Sequence, residues 1–524
     1  MNDRRSTHAG AAAGAAAVLV GLAVFGAASI ASPGLPFPPL GIGQRVLRLI
    51  PGPLASGAIE LLGHWALRGF VAGVLVAAVA LGAGAGILVA RRPPGSRQLT
   101  AGLAGGGLGL LALAGWSPDG GGISITGYLL LVLVAAVAFT WTLTASLASI
   151  ERAGPEGGAP DRTRRELLKA GGGAVVLLGV AYGGRRVLGG FGGGGGGAPL
   201  VRPAGAAPVA PAPAAAAETA AVRAAFDLPG LAAEVTSNRD HYTVDESIID
   251  PDVDAGSWRL RIDGLVGRPV ELTYDELMAM ASVERVVTLT CISNLVGGDL
   301  ISTARWTGVP LRDVLARAGG PGRGAQRVVF HAVGGYSDSL AVAKAVDEHT
   351  LIAYGMNGTA LPRGHGYPAR VIAPGIYGMK NVKWLERIEV VDYDYQGYWQ
   401  KRGWDNLARI KTGSRIDVPA GGDPVRGAVT VAGVAWAGDR GISRVEVSAD
   451  GGRTWGRAQL RRELARAAWR QWRFDVPAGA DRELRLVVRA TDGTGEVQTE
   501  VEVPPHPTGA SGLDSRTVRA LPEG

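Results

Sequence analysis

Long apolar runs without charge alternate with short polar segments over the first third of the chain. Four such runs cover residues 9–31, 70–90, 99–115 and 123–150, and a weaker fifth run covers 170–184. A helix needs about 20 apolar residues to cross the hydrocarbon core of a membrane, and three of the runs exceed that length. The pattern therefore predicts a membrane anchor of about five transmembrane helices over residues 1–190.

Basic residues in the predicted loops indicate the orientation of this anchor. Arg4 and Arg5, the cluster at 91–97 and the cluster at 152–169 fall in alternate loops, and positively charged loops stay in the cytoplasm. Five spans then place everything after residue 190 outside the cytoplasm, as in a multi-pass protein of the cell membrane. The segment Thr163-Arg-Arg-Glu-Leu-Leu-Lys169 resembles a twin-arginine export signal, and an ordinary positively charged loop is the alternative.

A change in composition separates the anchor from the rest of the chain. Residues 191–225 combine six consecutive glycines with an Ala- and Pro-rich stretch, which is typical of a linker. Beyond it, residues 258–264 alternate in strand fashion and end in an Asp-Gly turn pair. Other short elements follow, with strands predicted at 286–291, 370–373 and 388–391 and helices at 274–281 and 308–318. This mixture predicts an α+β domain over residues 226–415.

The last hundred residues have the pattern of an all-β domain. Short apolar alternations, separated by turns such as Asp450-Gly-Gly452, predict strands at 429–434, 444–448, 469–476 and 484–491. Spacing of this kind is typical of an immunoglobulin-like sandwich, which we predict over residues 416–524. We expect it to serve as a packing or dimerisation partner, with an independent binding role as the alternative.

Composition and charge exclude several classes of function. Residues 1–198 carry 15 Lys and Arg against 7 Asp and Glu, whereas the rest of the chain carries 38 against 39. The positive charge therefore belongs to loops beside membrane helices, and no nucleic-acid partner is expected. Cys291 is the only cysteine, so no intramolecular disulfide exists. His64 is the only histidine between His8 and His241 and lies outside the apolar runs, so we expect no haem within the anchor.

Cys291 is the first candidate for chemistry. It ends the predicted strand 286–291, where a side chain faces loops in which ligands commonly bind. Thiolates bind soft and redox-active metals. Structural zinc and iron–sulfur sites need several thiolate or imidazole ligands, and the chain has no second cysteine. One metal whose other ligands come from a cofactor is the remaining metal hypothesis, and a small buried hydrophobic side chain is the alternative.

Several ordered motifs surround and follow this cysteine. They are Thr288-Leu-Thr-Cys291, Ser302-Thr-Ala-Arg-Trp-Thr-Gly-Val-Pro-Leu311, His365-Gly-Tyr-Pro-Ala-Arg-Val371 and Pro374-Gly-Ile-Tyr-Gly-Met-Lys-Asn-Val-Lys-Trp-Leu385. Together they resemble the sulfite oxidase family of molybdenum-cofactor enzymes. The resemblance runs from about residue 238 to residue 400 and continues through Arg444-Val-Glu-Val-Ser-Ala-Asp-Gly-Gly-Arg-Thr-Trp455, so it covers roughly half of the chain.

The resemblance implies a cofactor and the residues that hold it. In that family one cysteine thiolate ligates molybdenum beside a single molybdopterin, so Cys291 is expected to be the metal ligand. His365 and Arg370 are expected to hold the pterin and its phosphate, which a guanidinium can grip bidentately. Asn238 and Tyr242 fit the family's early pterin-binding segment. The loop expected to complete the cradle consists of Lys380, Asn381, Val382 and Lys383.

The chain departs from the family at positions that bear on the substrate. Where sulfite-oxidising members carry arginines, this chain has Ser237, Leu295 and Val296. A doubly charged oxyanion needs positive charge to offset its lost hydration, so we expect a substrate other than sulfite, such as a sulfoxide. Trp404 stands where the family has a tyrosine. With Trp404 and Tyr336 as candidate catalytic residues, the expected wall of the pocket also includes Trp306, Asp338 and Asp299.

The sequence thus predicts an α-helical membrane anchor, an α+β sulfite-oxidase-type domain and a C-terminal all-β immunoglobulin-like sandwich. The expected function is that of an extracytoplasmic, membrane-anchored oxidoreductase that performs oxo transfer at a Cys-ligated molybdenum. We expect one molybdopterin cofactor per chain and a separate cytochrome- or quinone-linked electron partner, and the resemblance implies a homodimer through the C-terminal domain. Two alternatives stay open: a non-catalytic, membrane-anchored binding module with a degenerate fold, and a reductase rather than an oxidase.

Overall fold

The computed structural model describes residues 2–31, 37–50, 65–113, 125–152, 198–246, 250–420, 424–477 and 481–522. The chain divides into two compact units, which are described separately. The first unit comprises Met1–Ile50, His64–Gly194 and Asp245–Asp252, and the second contains most of the chain beyond residue 194.

Five helices form the described part of the first unit. They are α1 Asn2–Ala31, α2 Pro38–Leu49, α3 Trp65–Ala90, α4 Pro94–Leu113 and α5 Ile125–Arg152. Four of them cover the four strong apolar runs, whereas the short helix α2 was not predicted. Three segments are long and apolar enough to cross a membrane: Thr7–Ala28, Gly69–Ala90 and Thr126–Ser149. The weak fifth run and the twin-arginine-like segment lie outside the described residues.

Helices α1 and α3 pack through glycines. A Cβ atom built on Gly10 would lie 2.7 Å from the carbonyl oxygen of Gly86, and one built on Gly86 would lie 2.8 Å from the Cα atom of Gly14. The missing side chains allow the two backbones to touch, as is common between helices in membranes. The small residues that make these runs only moderately apolar therefore have a packing role.

The second unit begins with an α+β domain. Its strands are β1 Val209–Ala210, β2 Arg259–Gly264, β3 Val270–Thr273, β4 Ser282–Thr290, β5 Ile301–Pro310, β6 Arg327–Ala332, β7 Ser337–Ala341, β8 Leu351–Met356, β9 Thr359–Ala360, β10 Arg370–Ile372 and β11 Leu385–Val391. Its helices are α6 Ala220–Ala225, α7 Tyr274–Ala279, α8 Leu311–Ala316 and α9 Val342–Ala345. One sheet has the order β1-β4-β5-β8-β10, with β9 paired to β8, and the other has the order β3-β2-β11-β6-β7.

The predicted elements of this domain are confirmed with one correction. Thr273 and Glu276 form a capping box that starts α7 at the expected place. The predicted helix 308–318 is wrong at its start, because Gly308 belongs to β5 and pairs with Ala353 of β8. Strand β5 is almost wholly buried, so its sequence lacks the alternation that marks a half-exposed strand. The helix begins only after Pro310.

The linker predicted over 191–225 is also corrected. From residue 198 the chain packs on the α+β domain, and β1 pairs in parallel with the start of β4. The Arg202 guanidinium donates to the carbonyl oxygens of Ala207 and Met278, each at 2.6 Å. Glu218 binds Arg461 of the C-terminal domain through two hydrogen bonds of 2.8 and 2.7 Å. Proline favours extended backbone in this segment, and the side chains of Arg202 and Glu218 attach it to the rest of the unit.

The C-terminal domain consists of two sheets around one core. The strands are β12 Gly413–Val418, β13 Val425–Arg426, β14 Val429–Trp436, β15 Ile442–Ser448, β16 Gly456–Arg457, β17 Gln459–Leu460, β18 Arg470–Val476, β19 Arg482–Asp492 and β20 Ser515–Leu521. Their orders are β12-β14-β18-β17 and β13-β20-β19-β15-β16. All four predicted strands are confirmed in place.

Strand β14 joins this domain to the α+β domain. Val431 and Ala435 point into the core between the two sheets. Val434 and Trp436, on the opposite face, belong to the core of the α+β domain. Since β14 is buried on both faces, the two domains form one packed body. Residues of the C-terminal domain can therefore line the same surfaces as residues of the α+β domain.

Candidate active site

Cys291 lies directly after β4, at the start of a tight loop that leads into β5. Its amide donates to the Leu300 carbonyl oxygen at 2.9 Å, and its Sγ atom lies 3.0 Å from the Ser293 hydroxyl. The Asn294 side chain accepts a hydrogen bond of 2.9 Å from the Leu300 amide and closes the loop. The thiol is 8% exposed, so the two strands fix a nearly buried sulfur at their end.

A glycine turn packs against this cysteine. Residues Gly378–Lys380 form one turn of 3-10 helix, which we call the 378–380 turn. A Cβ atom on Gly378 would lie 2.7 Å from the Tyr242 hydroxyl and 3.9 Å from the Cys291 Cα atom. Only glycine fits this contact without a shift of its neighbours. The turn therefore brings Tyr242 and Cys291 to one place.

Asn238, His365 and Arg370 form a connected chain beside Tyr242. The His365 Nε2 atom donates to the Asn238 carbonyl oxygen at 2.8 Å, and Arg370 donates to the His365 carbonyl oxygen at 2.9 Å. The Arg370 guanidinium carbon lies 5.0 Å from the centre of the Trp306 ring. Nearby, Lys383 donates to the Gly364 carbonyl oxygen at 2.9 Å. We call Asn238, Tyr242, His365, Arg370 and Lys383 the polar cradle.

His241 was not predicted, although it lies between Asn238 and Tyr242 in the sequence. Its Nδ1 atom donates to the Tyr242 carbonyl oxygen at 3.1 Å, which leaves Nε2 as a hydrogen-bond acceptor. Burial and the neighbouring His365 lower the pKa of His241 well below its usual value, so the ring is neutral. Buried Nε2 has no hydrogen-bond partner among the described residues, nor has the Thr290 hydroxyl next to Cys291.

The neighbouring predicted residues have structural contacts. The Asn381 side chain binds the Ala373 amide at 2.7 Å and the Tyr377 carbonyl oxygen at 3.1 Å. The carbonyl oxygen of Val382 accepts from the Val371 amide at 2.8 Å. Lys380 points away from Cys291 and forms a buried ion pair of 2.6 Å with Asp338. Burial raises the pKa of Asp338, and Lys380 opposes this rise.

A cleft opens beside Cys291 on the side where the two domains meet. Its lining includes residues of both domains: Thr290, Cys291, Asn294–Gly297, Tyr377, Lys411–Ser414, Trp436, Gln498 and Ala510–Gly512. Lys411 is the one charged side chain among these described residues, and it donates to the Gly509 carbonyl oxygen at 2.5 Å. We call this space the Cys291 cleft.

Trp404 and Tyr336, the predicted catalytic residues, are not among those that line the Cys291 cleft. The Tyr336 hydroxyl donates to the Met379 carbonyl oxygen at 2.6 Å, and the Trp404 ring packs 5.1 Å from the His506 ring. Trp306 is fully buried and Asp299 is exposed. Tyr377 instead faces the cleft, and burial raises its pKa to about 12. Tyr377 stood inside a quoted motif, whereas no sequence signal pointed to Lys411 or Gln498.

Comparisons with known proteins agree with this geometry. Residues 247–399 match the family model of the oxidoreductase molybdopterin binding domain, and residues 409–504 match the Mo-co oxidoreductase dimerisation domain. The chain is 36% identical to a sulfite oxidase of Gallus gallus over 319 residues, which cover 52% of this chain and 68% of that protein. The chain belongs to the sulfite oxidase family. The resemblance inferred from the motifs around Cys291 is thereby confirmed.

Other relatives of the family extend the comparison. The chain is 35% identical to the mitochondrial sulfite oxidase of Homo sapiens, over 48% of this chain and 55% of that protein. It spans about half the length of such relatives. Among solved structures, the sulfane dehydrogenase SoxCD from Paracoccus pantotrophus aligns with a TM-score of 0.49 and 24% identity, over 56% of this chain and 84% of that chain.

The residues at Cys291 fit the molybdenum cofactor of the sulfite oxidase family. Among the described residues, no group of three or more His, Cys, Asp or Glu could hold a metal by itself. A cofactor that brings its own metal ligands needs only one from the protein, and a thiolate such as that of Cys291 suits this role. The polar cradle contains Arg370 and Lys383, whose positive charge suits a phosphate. His241 Nε2 and the Thr290 hydroxyl are buried polar atoms without a hydrogen-bond partner among the described residues. The expected class, a molybdenum-cofactor oxidoreductase, is confirmed.

Proposed function

We propose that this protein is a membrane-anchored, extracytoplasmic oxidoreductase that transfers an oxygen atom to or from a neutral organic substrate rather than sulfite. The observation that carries the proposal is the lining of the Cys291 cleft. Leu295 and Val296 lie at its mouth, 56% and 38% exposed, at positions where sulfite-oxidising members have arginines.

The charge of the Cys291 cleft supports this choice of substrate. A doubly charged oxyanion loses its hydration when it enters a cleft and needs paired positive charge in return. Lys411 is the only cation in the described lining, and the Gly509 carbonyl oxygen already accepts one of its protons. Burial also lowers the pKa of Lys411. A neutral sulfoxide needs no paired positive charge, and its apolar substituent can pack against Leu295 and Val296.

The chain's own residues have distinct tasks in this proposal. Cys291 would be the protein ligand of molybdenum, while Asn238, Tyr242, His365, Arg370 and Lys383 would hold the pterin and its phosphate. When bound, the cofactor supplies two-electron oxygen-atom transfer at the metal. Tyr377 keeps its phenolic proton at neutral pH because its pKa is about 12, so its hydroxyl can donate to a substrate oxygen in the cleft. Trp436 and Leu295 also line the cleft and would provide apolar surface beside that oxygen.

Membrane attachment and assembly complete the proposal. The three long apolar helices support a multi-pass anchor, and the alternation of basic loops supports an extracytoplasmic catalytic part. The match to a dimerisation domain supports a homodimer through residues 409–504, and the two sheets around one core are compatible with an immunoglobulin-like sandwich. Two successive one-electron exchanges with a separate cytochrome- or quinone-linked partner would then balance the two-electron transfer.

The test combines metal analysis with a substrate screen. We expect stoichiometric molybdenum in the purified full-length protein, loss of that metal in Cys291→Ser, and retention in the matched variant Ser293→Ala. Steady-state assays in both directions should give kcat/KM for sulfoxides or the corresponding thioethers at least about tenfold above that for sulfite, a difference of about 1.4 kcal/mol. Robust sulfite turnover would overturn the substrate assignment. A well-folded protein without molybdenum would favour the non-catalytic binding module.

A further inference from the structure

The loop that follows Cys291 is held in place from the C-terminal domain. We call residues 294–298 the mouth loop, since four of them line the Cys291 cleft. The Asn294 amide donates to the Cys291 carbonyl oxygen at 3.1 Å, and the Gly298 amide donates to the Leu295 carbonyl oxygen at 3.0 Å. Both bonds lie within the turn itself, and they connect the position of the mouth loop to that of the cysteine.

Arg415 of β12 makes the first contact from the C-terminal domain. Its Nη1 atom donates to the Gly298 carbonyl oxygen at 2.9 Å, and its Nε atom donates to Asp417 at 2.6 Å. The Arg415 side chain is 13% exposed and the Asp417 side chain 7% exposed. A hydrogen bond from an ionised donor is about twice as strong as one between neutral groups, and the ion pair holds this donor in place. Arg415 therefore fixes the end of the mouth loop.

Asp514 makes the second contact. Its Oδ2 atom accepts a hydrogen bond of 2.8 Å from the Ile416 amide, next to Arg415, and the residue is buried. Gly297 has a φ angle of +71° and lies against the same carboxylate, because a Cβ atom built there would be 2.6 Å from Asp514 Oδ1. A side chain at Gly297 would meet both an unfavourable φ angle and this contact. The carboxylate therefore limits how far the mouth loop can move toward the C-terminal domain.

Gln498 holds the part of the cleft lining that packs against the mouth loop. Its side chain donates to the Gly512 carbonyl oxygen at 2.8 Å and accepts from the Ser414 hydroxyl at 2.7 Å and from the Ala490 amide at 3.1 Å. A Cβ atom on Gly512 would lie 3.5 Å from Val296 Cγ2, so the two segments are in contact. Gln498 is buried, and its three hydrogen bonds fix Gly512 to strands β12 and β19.

We propose that Arg415, Gln498 and Asp514 are positioning residues through which the C-terminal domain sets the width of the cleft mouth and thereby selects substrates by size. The α+β domain contributes the mouth loop, whereas the three side chains that hold its surroundings belong to the C-terminal domain. Leu295 and Val296 are partly exposed, so their positions depend on the backbone of the loop. The selection by size rests on the proposed function, while the positioning of the loop does not.

Amide hydrogen exchange of the full-length, cofactor-loaded protein measures the positioning. The amides of Asn294, Gly298 and Leu300 report on the mouth loop, because each donates a hydrogen bond to an atom of the loop or of Cys291. Arg415→Met should raise their exchange rates about tenfold through local opening. Arg415→Lys keeps a cationic donor and should raise them less.

Two further variants complete this measurement. Gly297→Ala should also raise exchange at the three amides, since it disturbs the contact with Asp514. Arg473→Met is the matched control. Arg473 also pairs with a carboxylate two residues later, Asp475, and also donates to a carbonyl oxygen of a preceding segment, that of Ala225 at 2.7 Å. It lies outside the cleft lining, so its loss should leave exchange in the mouth loop unchanged. The proposal is overturned if Arg415→Met leaves that exchange unchanged, or if Arg473→Met raises it as much.

Steady-state kinetics measures the selection by size. A loosened mouth loop loses more apolar contact with a bulky substituent than with a small one. Arg415→Met should therefore raise KM for methyl phenyl sulfoxide about tenfold more than KM for dimethyl sulfoxide, with kcat and molybdenum content unchanged. Equal changes in both KM values, together with faster exchange, would overturn the selection by size. If the unmodified protein turns over neither sulfoxide, the proposed function is contradicted, and the exchange rates still decide whether the C-terminal domain positions the loop.

Discussion

The two sides of Cys291 are built differently. On one side, the polar cradle draws all its residues from the α+β domain, and backbone carbonyl oxygens hold His365, Arg370 and Lys383 in place. On the other side, the Cys291 cleft combines residues of both domains and has one charged side chain in its described lining. The cradle is a preorganised polar site, while the cleft has a mixed lining of apolar side chains such as Leu295 and Val296 and uncharged polar ones such as Thr412 and Gln498.

Under the proposed function, this difference would separate retention of the cofactor from choice of substrate. Buried polar side chains are stable only when they have hydrogen-bond partners. Substitutions in the cradle should therefore cost much free energy of unfolding. The residues at the mouth of the cleft are partly exposed and make few polar contacts, so substitutions there should cost little free energy of unfolding. Substitutions on the two sides should therefore affect metal content and substrate preference separately.

The largest effect is expected at the far end of the 378–380 turn. Asp338→Ala leaves the buried Lys380 ammonium without its carboxylate and should lower the free energy of unfolding by about 3–5 kcal/mol. Denaturant unfolding monitored by fluorescence measures this loss. The double variant Asp338→Leu with Lys380→Met removes both charges and should recover most of the stability. An equal loss in the single and double variants would contradict the role of the ion pair.

The next effect concerns the contact between the turn and Cys291. Gly378→Val adds a Cβ atom only 2.7 Å from the Tyr242 hydroxyl, so the cradle must open. We expect molybdenum content to fall and turnover to drop by about 100-fold, as for a displacement of about 1 Å at a reacting centre. Elemental analysis of folded protein measures the metal. Gly256→Val, at a loop with ordinary contacts, is the control and should retain full metal content.

The residues around these two positions also illustrate how much of the site could be predicted from the sequence. The cradle follows from contiguous motifs, since Asn238, His365 and Arg370 lie in ordered segments and are joined by short hydrogen bonds. Lys380 belongs to the same motif but extends in the opposite direction, because Asp338 on the distant strand β7 holds its ammonium group. Sequence spacing does not give that direction.

The cleft was harder to predict than the cradle. Lys411 and Gln498 reach it only because β14 packs the C-terminal domain onto the α+β domain, a contact without a local motif. Similarly, the apolar composition of residues 198–217 resembled a linker, while the attachment depends on Arg202 and Glu218 with partners far along the chain. Both failures concern long-range contacts, which periodicity and composition do not encode.

A change at the mouth of the cleft should alter substrate preference alone. Leu295→Arg restores a cation near Cys291, and we expect kcat/KM for sulfite to rise about tenfold through one charge-assisted contact. Steady-state kinetics measures the rise, and molybdenum content should stay at the level of the unmodified protein. Val501→Arg adds the same charge at a site that is 66% exposed and outside the cleft lining, so it should leave sulfite kinetics unchanged. If both variants respond alike, the effect is general electrostatic attraction.

The smallest effect concerns the attachment of Glu218 to Arg461 of the C-terminal domain. The hydrogen bond from Arg461, followed by the nearby charge of Arg462, lowers the pKa of Glu218 below its usual value near 4.5. The folded state therefore binds this proton less readily than the unfolded chain, so the stabilisation is present above pH 4.5 and is lost as the pH falls through the lower, folded-state pKa.

Glu218→Gln should accordingly lower the melting temperature at neutral pH by a few degrees, for a loss of about 1 kcal/mol, and the difference should vanish at acid pH. Calorimetry across a pH series measures this convergence. Asp481→Asn, which breaks the exposed pair with Arg519, is the control and should change little at any pH. Because Glu218 ties the segment before the α+β domain to the C-terminal domain, its loss should loosen that attachment while molybdenum content stays unchanged. A loss of metal in Glu218→Gln would mean that the attachment also supports the cradle.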